Sequence, residues 1–137
     1  MGTDGNGVLE AARAIRPYLQ RLVGPAAAAS LDRRLADQLT GPAEQTQLVS
    51  QLRAILAEQE DTGWFLAEVL LDAPHYRPPY QQPRYLTRGT VSPAGEVGAI
   101  GGAARYTCPR GDYVWYRPDV GTPIEECPTH HIPLVRT

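Results

Sequence analysis

No lysine occurs anywhere in this 137-residue chain; all thirteen basic side chains are arginine. That absence excludes a phosphate-loop lysine, a Schiff-base lysine and a kinase-type catalytic lysine, because a guanidinium does not fill those roles in the same way. An arginine-only basic set also fits a GC-rich genome. Cysteine is scarce too, with two residues, Cys108 and Cys127. No stretch approaches the roughly 18 consecutive apolar residues of a membrane-spanning helix. No basic segment followed by an apolar one is visible as an export signal, so a cytoplasmic chain with reduced thiols or metal ligands is expected rather than a disulfide scaffold. Strong charge is missing as well. The net charge of −2 divides into six Arg against ten acids over residues 1–75 and seven Arg against five acids over residues 76–137. A surplus of two positive charges in the second part is too weak for general phosphate-backbone binding.

What is present is unevenly distributed. Residues 1–7, "MGTDGNG", read as a flexible lead-in. Residues 8–73 carry a helical pattern, with apolar positions at Leu9, Ala12, Leu19 and Leu22 and a kink or restart forced by Pro17. Gly24 and Pro25 punctuate the chain, and Pro25 is suited to open a helix whose stripe is Ala28, Leu31, Leu35 and Leu39. "TGP" at 40–42 repeats that punctuation before a stripe of Leu48, Leu52, Ile55 and Leu56. Asp61 or Thr62 is a candidate cap for a fourth helix carrying Phe65, Val69 and Leu70, flanked by Trp64 and Leu66. Trp64 and Phe65 are expected in the core. Four short helices with short loops predict a four-helix bundle-like domain.

At Pro74 the composition changes. "APHYRPPYQQPRYL" is dense in proline and tyrosine, and a helix cannot continue through it; it reads as a polyproline or extended strap, laid on its own domain or serving as a spacer. The Gly-rich "SPAGEVGAIGGAA" at 92–104 reads as a linker, since it lacks the lysine and the strand–helix context of a phosphate loop. Residues 74–104 are thus a linker or strap. From 105 to 137 the pattern turns to strands: "ARYT", "DYVWYR" and "HIPLVR". The fold class expected is α+β.

Both cysteines and two of the three histidines fall within residues 106–135. Cys127 and His130 stand three apart, a spacing at which one tight turn brings two side chains to one ion. Cys108 precedes Cys127 by eighteen intervening residues, room for a second turn across a hairpin. Cys108-Pro109 and Cys127-Pro128-Thr129-His130, set among strand-like segments, resemble a zinc ribbon or rubredoxin-like knuckle module confined to about the last thirty residues. The resemblance implies a small antiparallel sheet and a zinc ion. The chain departs from that pattern at Gly111, where a knuckle has Cys or His. The fourth ligand is then Asp112, His131, the distant His75, a water or a partner residue, with Asp112 the best placed. Three alternatives stand beside metal binding. One is a decayed ribbon held by Tyr106, Val114, Tyr116, Ile132, Leu134 and Val135; another is a Cys108–Cys127 disulfide; the third is a reactive thiol, Cys108 or Cys127, with His130 as base.

In an extended strand Tyr113, Trp115 and Arg117 share one face and Val114 and Tyr116 the other. If the latter point inward, Tyr113, Trp115, Arg117 and the nearby Arg110 offer an aromatic–arginine platform for a peptide or for single-stranded bases. The opposing expectation is that these aromatics join the tail to the helices. The helical part is loosely similar in size and helix spacing to effector-associated domains of bacterial conflict and signalling systems, which implies helical contacts with a protein partner or with copies of itself. The function expected is a non-enzymatic adaptor, with a nucleic-acid-binding ribbon protein as the alternative.

Overall fold

The computed structural model describes residues 2–82, 104–117 and 121–137. The Gly-rich linker up to residue 103 and the end of the Pro/Tyr strap lie outside these residues. Within them the chain is α+β. Helices α1 (Gly2–Ile15), α2 (Leu19–Val23), α3 (Pro25–Thr40), α4 (Gln45–Ala57) and α5 (Glu60–Leu71) precede a sheet of β1 (Ala104–Thr107), β2 (Val114–Arg117) and β3 (Val135–Arg136).

The first helix begins at Gly2, so residues 2–7 of the expected flexible lead-in are instead helical. Gly7 shows why glycine sits there. A Cβ at that position would lie 2.6 Å from Leu70 and 2.7 Å from Tyr76. The residue lets α1 approach its neighbours closely, and packing outweighs the helical cost of glycine, about 0.5–1 kcal/mol. Val8, Ala11, Ala12 and Ile15 of the same helix are fully buried. Pro17 has no N–H for the helical ladder, so α1 stops at Ile15. A 3-10 turn, Arg16–Tyr18, follows, and α2 restarts the spiral. Gly24, at φ +87°, ends α2, and Pro25 opens α3 at its first turn.

The apolar stripes converge on one core. Leu19, Leu31, Leu35, Leu52, Ile55, Leu56, Phe65 and Val69 are buried, with Leu22, Leu39, Leu48 and Leu70 packed around them. Two expectations change. Neither Asp61 nor Thr62 caps α5, which starts after Gln59 without a side-chain cap. Thr62 lies inside the helix, fully buried, and its hydroxyl donates to the carbonyl of Leu56 at 2.5 Å, tying the end of α4 to α5. Trp64 is 37% exposed rather than a core residue, because Phe65 takes the inward direction.

The strap runs back over the helices. Tyr80, in the 3-10 turn Pro79–Gln81, has its ring 4.9 Å from that of Tyr18 and 6.4 Å from that of Phe65. Gln82 is buried and its amide donates to the carbonyls of Glu68 at 2.8 Å and Arg77 at 3.0 Å, replacing the hydrogen bonds that water would supply.

The sheet is antiparallel with order β2-β1-β3. Tyr106 pairs with Trp115 across β1 and β2, their rings 5.9 Å apart. The tail is laid against the first helix rather than standing apart. Glu10 of α1 receives both arms of the Arg105 fork at 2.9 and 2.8 Å, and Arg13 donates to the carbonyl of Gly111 at 2.8 Å. Val114 and Tyr116 pack on Ala14. On the opposite face of β2, Tyr113 and Trp115 join Tyr106, Cys108, Cys127 and Leu134 in a second cluster. The strand is therefore buried on both faces. The outward aromatic platform does not form: Tyr113 and Trp115 are only 5% and 7% exposed, and Arg117 is occupied by the carbonyl of Thr122 at 2.7 Å. Arg110 alone of the four faces solvent.

Candidate metal centre

Each cysteine sits at the head of a tight turn. In the first, the Cys108 amide donates to the Tyr113 carbonyl at 3.0 Å and the Gly111 amide returns to the Cys108 carbonyl at 2.8 Å. In the second, the Cys127 amide donates to Ile132 O at 3.0 Å and the His131 amide to Cys127 O at 2.7 Å. The two turns share a device. Gly111 at φ +84° and His131 at φ +56° are left-handed, reversing the chain just past each loop. At Gly111 that reversal carries the next side chain, Asp112, into the space between the sulfurs.

Cys108, Asp112, Cys127 and His130 thereby bring four ligand atoms within 4.8 Å of one another. His130 Nδ1 lies 3.5 Å from Cys108 Sγ, 3.6 Å from Cys127 Sγ and 3.4 Å from Asp112 Oδ1. Cys127 Sγ is 3.5 Å from the same carboxylate oxygen. Both thiols are free and buried, and the Asp112 side chain is wholly inaccessible. Such a cluster can hold a metal ion. The four residues it unites are the four that sequence reasoning selected. His131 is exposed and held by its backbone instead. His75, also exposed, lines a separate cavity of about 300 Å³ with Glu10, Arg105 and Tyr116.

The electrostatics follow from burial and from one arginine. Burial pushes the Cys108 thiol up to about 11, and the neighbouring Asp112 and Cys127 add to this against the opposing N–H of Arg110, 3.4 Å from the sulfur. Burial would also raise the Asp112 carboxyl, but the Cys108 thiol and the Arg16 guanidinium outweigh this and hold it below its ordinary range. Arg16 is the residue that sequence reasoning missed. Its Nη1 donates to Asp112 Oδ2 at 3.1 Å and to the Asp112 carbonyl at 2.8 Å. Nη2 donates to Thr129 Oγ1 at 2.6 Å, and the fork also grips Asp32 of α3 at 2.6 and 3.1 Å. One buried guanidinium thus joins both cysteine turns to the helices. The available signal was an arginine between Ile15 and Pro17, at a position where the helical stripe is otherwise apolar.

The fold and site define a small α+β protein with a buried two-thiol, one-imidazole, one-carboxylate cluster able to hold a metal ion. No protein-family model, curated protein or solved structure matches the chain.

Proposed function

We propose that the cluster is a structural zinc site of zinc-ribbon character, and that the protein is a non-enzymatic interaction module whose tail the ion fastens to a four-helix bundle-like layer. One observation carries the metal assignment. Zn–S bonds of about 2.3 Å and Zn–N or Zn–O bonds of about 2.0–2.1 Å, arranged tetrahedrally, separate sulfur from nitrogen or oxygen by about 3.6 Å and nitrogen from oxygen by about 3.3–3.4 Å. The spacings of 3.5, 3.6, 3.5 and 3.4 Å agree with those edges. Two thiolates and an imidazole are the donors zinc favours, and four protein ligands close the coordination sphere, which supports a structural rather than a catalytic ion.

The thiol-enzyme reading is opposed by the same geometry. A nucleophilic cysteine needs access and a lowered pKa, whereas Cys108 is buried and raised. The nucleic-acid reading loses its stacking surface with Tyr113 and Trp115 inside. For the adaptor role, exposed Trp64 and Leu71, seven residues apart on α5, offer an apolar stripe to a partner helix or a second copy. No helix among the described residues is long and apolar enough to cross a membrane. A reducing cytoplasm would keep both thiols available to the ion.

Elemental analysis of purified protein tests the metal assignment, wild type beside Cys127→Ser. The expected outcome is one zinc per chain, lost in the variant; folded wild type without zinc after growth in zinc-supplemented medium refutes it. Light scattering of wild type beside Leu71→Glu, alone and with a candidate helical partner, tests the α5 contact.

A further inference from the structure

Arg16 is an unusual residue to find at the centre of a small protein. Its side chain is 1% exposed, its Nη1 lies against Asp112, and its guanidinium carbon sits 5.2 Å from the centre of the Tyr113 ring. A buried guanidinium is costly unless charge and hydrogen bonds answer it. Asp32, its other carboxylate partner, accepts from the same fork at 2.6 and 3.1 Å and keeps 32% of its side chain in solvent, whereas Asp112 is wholly buried.

Arg16 Nη1 holds Asp112 Oδ2 at 3.1 Å and the Asp112 carbonyl at 2.8 Å, while Oδ1 of the same carboxylate lies 3.5 Å from Cys127 Sγ and 3.4 Å from His130 Nδ1. A partner on one carboxylate oxygen fixes which oxygen is left to a metal ion. We infer that Arg16 is the positioning residue of the site, holding Asp112 Oδ2 so that Oδ1 faces the sulfurs. The inference rests on the proposed metal site and extends it to a residue on the far side of the chain.

Competition for zinc with a chromophoric chelator, at fixed pH and salt, reads the effect on full-length protein. Arg16→Met is expected to weaken zinc about 10–100-fold, the range for partners that orient a metal ligand. Asp32→Asn, which leaves the Arg16–Asp112 contact in place, is expected to change affinity less than about threefold. The decisive comparison adds Asp112→Asn. Without that carboxylate Arg16 has no ligand to hold in place, so Arg16→Met in the Asp112→Asn background is expected to cost less than about threefold. Equal losses from Arg16→Met in both backgrounds, or a loss from Asp32→Asn as large as that from Arg16→Met, would overturn the inference. If Arg16→Met does not fold, Arg16→Lys carries the test. It retains charge but lacks the fork, so about tenfold weaker binding is expected, and unchanged affinity overturns the positioning role. Wild-type protein that takes up no zinc defeats the metal site itself, whereas zinc-binding protein indifferent to Arg16 defeats this inference alone.

Discussion

If the cluster holds zinc as proposed, removing the ion should destabilise the helices as well as the tail. Arg16 links both cysteine turns to Asp32 of α3, Arg105 is forked onto Glu10 of α1, and Val114 and Tyr116 pack on Ala14. Stabilisation from the ion should therefore reach the helices. An ion that binds only the native state, buffered at a free concentration of 1,000 times its Kd, contributes about 4.1 kcal/mol. Unfolding entropy near Tm is about 2.1 cal/mol/K per residue, or about 290 cal/mol/K for a chain of 137 residues. The quotient predicts a fall in Tm of about 14 °C on passing from buffered zinc to excess chelator. Two signals followed together provide the assay: far-ultraviolet circular dichroism for the helices, and near-ultraviolet dichroism, to which buried Trp115 contributes. Coincident transitions that shift together are expected. A chelator shift below about 2 °C would refute the stabilisation, and a tail signal that melts early while the helical signal stays put would refute the coupling.

Other perturbations probe the frame that holds the site. Phe65→Ala removes a fully buried ring that lies 5.9 Å from Tyr18 and 6.4 Å from Tyr80, and should cost about 3–5 kcal/mol in urea denaturation. Gly7→Ala should cost about 1–3 kcal/mol despite alanine's better helix propensity, because Leu70 and Tyr76 must give way; a stabilised variant would contradict the close approach. Zinc-free protein should lose stability as pH rises. The Cys108 thiol is raised in the folded state to about 11, so its contribution is complete below the unfolded value of about 8.5 and disappears as pH climbs through about 11. Tyr116, raised to about 12, acts in the same direction at higher pH, so the Cys108 share is the part that Cys108→Ala abolishes in base titrations followed by Tm. Alkylation of Cys108 in folded zinc-free protein should accordingly be slow at neutral pH, and rapid modification there would contradict both the burial and the raised pKa.

The sequence by itself determined the local decisions. Apolar residues recurring at helical spacing named Leu31, Leu35, Leu52, Leu56 and Val69 as core, because a helix side buries what its period places there. Pro17, Gly24 and Pro25 marked their breaks, since a missing N–H and a positive φ act within the chain's own neighbourhood. The Cys127–His130 spacing likewise needs only one turn to bring two ligands together. Tertiary structure alone decided what depends on distant segments meeting. Alternation in β2 predicts two faces but cannot say that α1 covers one and the cysteine turns the other, so Tyr113 and Trp115 went inward. Gly7 reads as flexibility until Leu70 and Tyr76 arrive beside it. Asp112 was one of several candidate ligands until the left-handed turn at Gly111 aimed it at the sulfurs, and Arg16, 96 residues away, acquires its role only because burial makes a charge seek its counter-charge across the fold.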